Sequence, residues 1–190
     1  MKIWELKSGL DNYESYQLLN LNTDYKRFFE GEIDSAVKMS DSWGEILVKY
    51  AEEGKYTDFP KFWGEVGTPM VSRKAKELLE PLISNNVEFL PLIHADTGET
   101  YYIINILNTI DAIDYDKAVL KKLRSGLAVN FKKYAFLPDL VENQKIFKVY
   151  LNQTLFITTV FVSDELKNLI QQSDLTGFEF VEVWDLEEGA

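Results

Sequence analysis

The sequence predicts an α+β fold, made mainly of antiparallel hairpins with a few helices, and three observations predict it. A helix-then-strand unit is written twice: Val71 to Leu92 reads VSRKAKELLEPLISNNVEFLPL, and Val162 to Val183 reads VSDELKNLIQQSDLTGFEFVEV. Short β-branched and aromatic runs come in pairs separated by turn residues, the signature of hairpins. Gly and Pro punctuate the stretch between the second strand and the first helix too closely for one long helix to form there.

In chain order, Lys2 to Leu6 reads as an opening strand with Trp4 on one face, and Tyr16 to Leu21 as a second. An aromatic stretch follows, with Tyr25, Phe28 and Phe29. Residues 30–70 hold Trp43 and Trp63 among the breakers Gly54, Pro60, Gly64, Gly67 and Pro69, and read as turns and irregular backbone. The first unit begins at Val71, and Val71, Ala75, Leu78 and Leu79 give its helix one apolar face. Ser72 stands where an N-cap oxygen takes up free backbone N–H groups. Val87 to Ile93 and Tyr101 to Leu107 form a hairpin around Asp96-Thr97-Gly98-Glu99.

Asp116 to Leu127 is read as a short basic helix. Lys145 to Tyr150 and Leu155 to Val160 form a second hairpin turning at Asn152-Gln153. The second helix repeats the first, with Val162, Leu166, Leu169 and Ile170 as its face and Ser163 as its cap, and Phe178 to Trp184 closes the chain as a strand. The two units align without a gap, and Val, Ser, Lys, Leu, Glu and Phe coincide. One domain over 1–190 is expected, with 1–70 its more variable part and 71–190 a core carrying both units.

With 190 residues, 46% of them hydrophobic and 14% aromatic, the chain can bury a real core and is not disordered. There is no Cys, which excludes disulfides, thiolate nucleophiles and cysteine metal sites, and a single His, His94, excludes any site needing two imidazoles. No apolar run is long enough for a membrane helix, and MKIWELKSG lacks the apolar core of a secretory leader, so a soluble cytoplasmic protein without membrane contact is expected. The net charge of −11 speaks against nucleic-acid binding, which rests on Lys and Arg meeting phosphates. That charge is uneven: Lys117 to Lys133 holds five Lys and one Arg without an acid, while Asp174 to Ala190 holds six acids without a base.

Asp111, Asp114 and Asp116 lie close together, but the calcium-loop pattern D-x-D-x-D-G is absent, and a turn whose Asp side chains cap the following helix is the simpler reading. His94 has no identifiable nucleophile to serve, and no nucleophile elbow, phosphate loop or dinucleotide glycine pattern occurs. No cofactor, metal or catalytic residue is therefore expected, and the chain is read as a non-enzyme. Arg73 and Lys74 sit in the opening turn of the first helix, where the dipole prefers anions, and a solvated turn is preferred there over an anion contact. For a partner-facing surface the candidates are the aromatics Trp43, Phe59, Phe62 and Trp63, with the acidic Asp185, Glu187 and Glu188 near the C-terminus. Two rival readings remain: a small-molecule hydrolase or transferase using Asp111, Asp114 and His94, or a ligand-binding regulatory domain with a pocket of Trp and Tyr residues.

The words PMVSRKAKELLE, VEFLPL and YYIINILNTIDAID, followed by VSDELKNLI and LTGFEFVEV, resemble in order and spacing the family numbered eleven among bacterial polymorphic-toxin immunity proteins. The resemblance covers about residues 56–186, and the N-terminal third follows loosely. It implies a cytoplasmic, non-enzymatic toxin inhibitor acting by protein–protein interaction, with a cognate toxin domain as its partner. It brings no catalytic or binding residue to carry over and fixes no oligomeric state. The chain's acidity would suit a basic toxin such as a nuclease.

Overall fold

The computed structural model describes residues 1–9, 12–29, 36–63 and 67–189. Gly64, one of the breakers above, lies outside them. Among the described residues the strands form three sheets. The first sheet draws mostly on the N-terminal half. Its strands are β2 (Ser15–Leu18), β3 (Leu47–Glu52), β4 (Lys61–Phe62), β5 (Met70–Ser72), β6 (Val87–His94) and β7 (Thr100–Ile106), in the order β4-β2-β3-β6-β7-β5. The second sheet combines β1 (Lys2–Ser8) with β8 (Thr109–Ile110), β11 (Ile146–Leu151), β12 (Thr154–Ser163) and β13 (Phe178–Asp185), in the order β13-β1-β12-β11-β8. The third is a two-stranded ribbon, β9 (Val119–Lys122) with β10 (Ala128–Lys133). Most pairings are antiparallel; β2 with β4, β3 with β6 and β8 with β11 are parallel.

Two helices carry the repeated unit, α2 (Arg73–Ile83) and α4 (Asp164–Gln171). Each opens on the predicted serine: Ser72 Oγ accepts the N–H of Ala75, and Ser163 Oγ accepts that of Leu166. A cap of this kind contributes about 1 kcal/mol. Each helix links two strands lying either side of a third that runs antiparallel to both. Helix α2 connects β5 to β6 around β7, and α4 connects β12 to β13 around β1. Both are therefore split βαβ units.

The register is equivalent as well. Val71 and Pro91 both pair with Tyr102, and their counterparts Val162 and Glu182 both pair with Trp4. Lys76 Nζ lies 5.4 Å from the centre of the Tyr102 ring, and its counterpart Lys167 lies 4.2 Å from that of Trp4. The middle strand comes from after the unit in one case and from the chain's start in the other, so the repeat in the sequence includes neither. Val71 and Val162, expected on the helix faces, lie in strands β5 and β12 instead; with Ala75 and Leu79 of α2 and Leu166 and Ile170 of α4 they form one cluster, so the two units share a core.

A second cluster lies against the first sheet, with Tyr16, Trp43, Ile46 and Tyr101. A third lies against the second sheet, where Phe136, Phe147, Phe161 and Trp184 meet mostly edge to face. At the β11–β12 turn Asn152 and Gln153 both take positive φ, the two-residue turn that matches strand twist.

Three expectations change. Residues 116–127 are not a helix but the β9 strand and its turn. Leu120 lies directly opposite Phe131, both side chains serve the core, and Gly126 takes φ +87° in the turn. The β-branched Val119 and Val129 belong in such a ribbon. The aromatic stretch after β2 forms helix α1 (Leu21–Phe29), which punctuation gave no sign of, and the irregular segment contains β3 and β4. Two single-turn helices complete the chain, α3 (Pro138–Val141) and α5 (Leu186–Gly189).

Candidate partner-binding surface

The four aromatics proposed for a partner divide sharply. Trp43 is buried, its indole N–H donating to Pro91 O at 2.8 Å. Phe59 and Phe62 are also buried; Phe59 stacks on Phe178 with ring centres 4.5 Å apart. These three are core residues, because strands distant in sequence cover them. Trp63 alone faces out, at 43% exposure, with its N–H on Ser15 Oγ and Lys61 Nζ 4.4 Å above its ring. Phe59 and Phe62 form part of the floor of a cleft of about 370 Å³ between the two large sheets, whose walls include Pro69, Met70 and Val160. Its rim carries both signs of charge, with Glu5 and Lys7 paired at 3.3 Å.

The acidic run is partly used within the chain. Asp185 is mostly buried, accepts the Glu187 N–H at 3.0 Å and faces Lys2 Nζ at 3.2 Å. The Glu187 N–H, and then Lys2, hold its carboxyl below the usual range. Glu182 takes the same ammonium at 2.8 Å. Glu187 is exposed, and the side chain of Glu188 lies outside the described residues. Lys74, in the first turn of α2, pairs at 2.9 Å with Asp174 in the loop leading to β13, so its anion comes from the other unit.

The densest polar chemistry is sealed inside the first sheet. Tyr16 OH donates to Tyr101 OH at 2.8 Å, and Tyr101 OH donates to Glu14 Oε1 at 3.3 Å. Burial pushes the Glu14 carboxyl above its ordinary value, although the Tyr16 and Tyr101 hydroxyls counteract it. Burial likewise drives both tyrosine hydroxyls far above theirs. His94 packs against Tyr50 and, edge to face, against Tyr16. Its Nδ1 accepts the N–H groups of Asp96 and Thr97, shaping the hairpin turn, while Nε2 meets no hydrogen-bond partner among the described residues.

The carboxylates once paired with His94 lie elsewhere. Asp111 and Asp114 follow β8 on the second sheet, and Asp114 Oδ1 accepts the N–H of Asp116 in a turn that leads into strand β9, not into the helix expected there. No three His, Asp or Glu side chains converge among the described residues. No helix among them is long and apolar enough to cross a membrane.

One group of exposed apolar side chains lies on the β9–β10 ribbon. Val119, Leu123, Leu127 and Val129 are 38–58% exposed within eleven residues. Around them stand the exposed Lys121, Lys122, Arg124, Lys132 and Lys133, and no described residue forms an ion pair with any of the five. The charge imbalance of this segment is visible in the sequence; its exposed aliphatic groups emerge only once Leu120, Ala128 and Phe131 are seen to take the inward places.

These features define an α+β protein of two split βαβ units, with an enclosed polar cluster and a patch of exposed aliphatic side chains on a basic ribbon. The chain belongs to the immunity protein family Imm11, whose pattern matches residues 24–185 of 190 and so begins well before the motifs that carried the resemblance. The sequence matches no curated protein.

Proposed function

We propose that this chain neutralises a cognate toxin domain by binding it and covering its working surface, in the cytoplasm of the cell it protects and without catalysis of its own. Membership in the immunity protein family over residues 24–185 carries this reading. The architecture is in keeping with it. The polar cluster of Glu14, Tyr16, His94 and Tyr101 is buried and bonded within itself or to backbone. Such networks rigidify and specify a core. A fold with two units locked around one cluster presents a fixed exterior, which lowers the ordering cost of association.

The test is co-production of this chain with the toxin domain encoded beside its gene. Cells making both should grow, and cells making the toxin alone should die. Equal killing in the two cultures overturns the proposal.

A further inference from the structure

We infer that the β9–β10 ribbon is the docking element of this surface, and that it takes an acidic protein face: an apolar patch on the toxin ringed by Asp or Glu. The inference rests on the toxin-neutralising reading above and names the surface and the partner chemistry.

Three observations support it together. The ribbon forms a sheet of its own, so the outer edges of β9 and β10 pair with no further strand among the described residues. Its base is fixed: Phe131 meets Phe156 edge to face at 5.4 Å, and Asn152 Nδ2 donates to Ala128 O at 3.2 Å. The apex is not covered, and Leu123 and Leu127 there are 52% and 58% exposed. A rigid stem with an aliphatic tip is costly to leave in water and adds little ordering cost on binding.

Charge selects the occupant. In a chain of net charge −11, the segment from Lys117 to Lys133 has six bases and no acid. Two copies of so acidic a chain repel at long range, a nucleic-acid backbone leaves the exposed Leu123 and Leu127 without an apolar counterpart, and an extended anionic bilayer meets the acidic remainder over a wider area than a compact protein face does. A protein face of carboxylates around an apolar centre satisfies both the bases and the leucines. The overall acidity had pointed to a basic toxin; the ribbon reverses that sign where contact is made.

The experiment measures binding of the neighbouring toxin domain to the full chain at low and high salt. The variants are Leu123→Asp with Leu127→Asp, and Lys121→Glu with Lys122→Glu and Arg124→Glu. Val181→Asp, on the exposed edge strand β13, is the control, and circular dichroism checks folding of all three. The leucine pair should weaken binding at least thirtyfold and the charge reversal at least tenfold, the latter with a flattened salt dependence, while the control stays within twofold. Wild-type-like binding by both folded ribbon variants overturns this inference and leaves the proposed function standing. Absence of wild-type binding overturns both. Equal wild-type affinity for a DNA duplex or phosphatidylglycerol vesicles, or a wild-type dimer that the leucine pair makes monomeric, assigns the ribbon to another partner and also overturns it.

Discussion

Ser72 donates its hydroxyl to Asp58 Oδ1 at 2.7 Å while accepting the N–H of Ala75 at 3.1 Å, so the cap of α2 is also the anchor of a buried carboxylate. The other oxygen of Asp58 accepts the N–H and the hydroxyl of Thr176, in the loop between α4 and β13. One side chain thus ties the first split βαβ unit to the second. Gly177 beside it takes φ +84°, and a Cβ there would lie 1.9 Å from Thr57 Oγ1.

The two serine caps should therefore differ in weight. Ser163→Ala should cost about 1 kcal/mol, the loss of a helix cap. Ser72→Ala should cost roughly 2–3 kcal/mol, because it also leaves Asp58 short of a donor in a buried place. Urea unfolding of the two variants checks this; equal losses contradict the anchoring role.

Asp58→Asn turns part of the acceptor into a donor facing Ser72, Tyr56 and Thr176. A loss of about 2–4 kcal/mol is expected, the range for breaking a buried polar network by removing one member. The same urea titration reads it, and a change below about 1 kcal/mol would show the carboxylate to be dispensable.

Trp43 and Trp63 should differ in how much stability each contributes. Trp43→Ala empties a core site and should cost about 3–5 kcal/mol. Trp63→Ala removes an exposed ring with a lysine above it and should cost about 1 kcal/mol. Thermal and urea unfolding distinguish them.

Glu14 gives the pH signature. Its carboxyl is held above the ordinary value by burial, so the folded state binds the proton more tightly than the unfolded chain. That contribution is present at acid pH and is lost as the pH rises through the raised folded value. Glu14→Gln should therefore stabilise the protein at neutral pH, with the gain shrinking as the pH is lowered into the ordinary glutamate range. Unfolding of the two proteins compared between pH 4 and 7 tests it; a gain that grows toward acid contradicts the sign.

His94 should carry its proton on Nε2 when neutral, because Nδ1 accepts two backbone N–H groups. Nitrogen-15 spectra of the ring report the tautomer directly. A proton on Nδ1 would contradict the turn geometry.

Local signals were legible in the sequence and tertiary ones were not. The serine caps, the apolar faces of α2 and α4 and the Asn152-Gln153 turn depend on neighbours within a few residues. The middle strands β7 and β1 do not, and so the completeness of each split unit was hidden. The burial of Trp43, Phe59 and Phe62 is set by strands far along the chain, with Phe178 closing over Phe59, so no local pattern separates them from Trp63. Lys117 to Lys133 stood out by charge, yet spacing alone suited a helix; the pairing of Leu120 with Phe131 decides for strands.

The most direct measurement of the central claim is calorimetric titration of the purified toxin domain with this protein, with toxin activity assayed on the same samples. A saturable stoichiometric complex whose formation abolishes toxin activity is the predicted result. Undiminished activity with no heat of binding would contradict it.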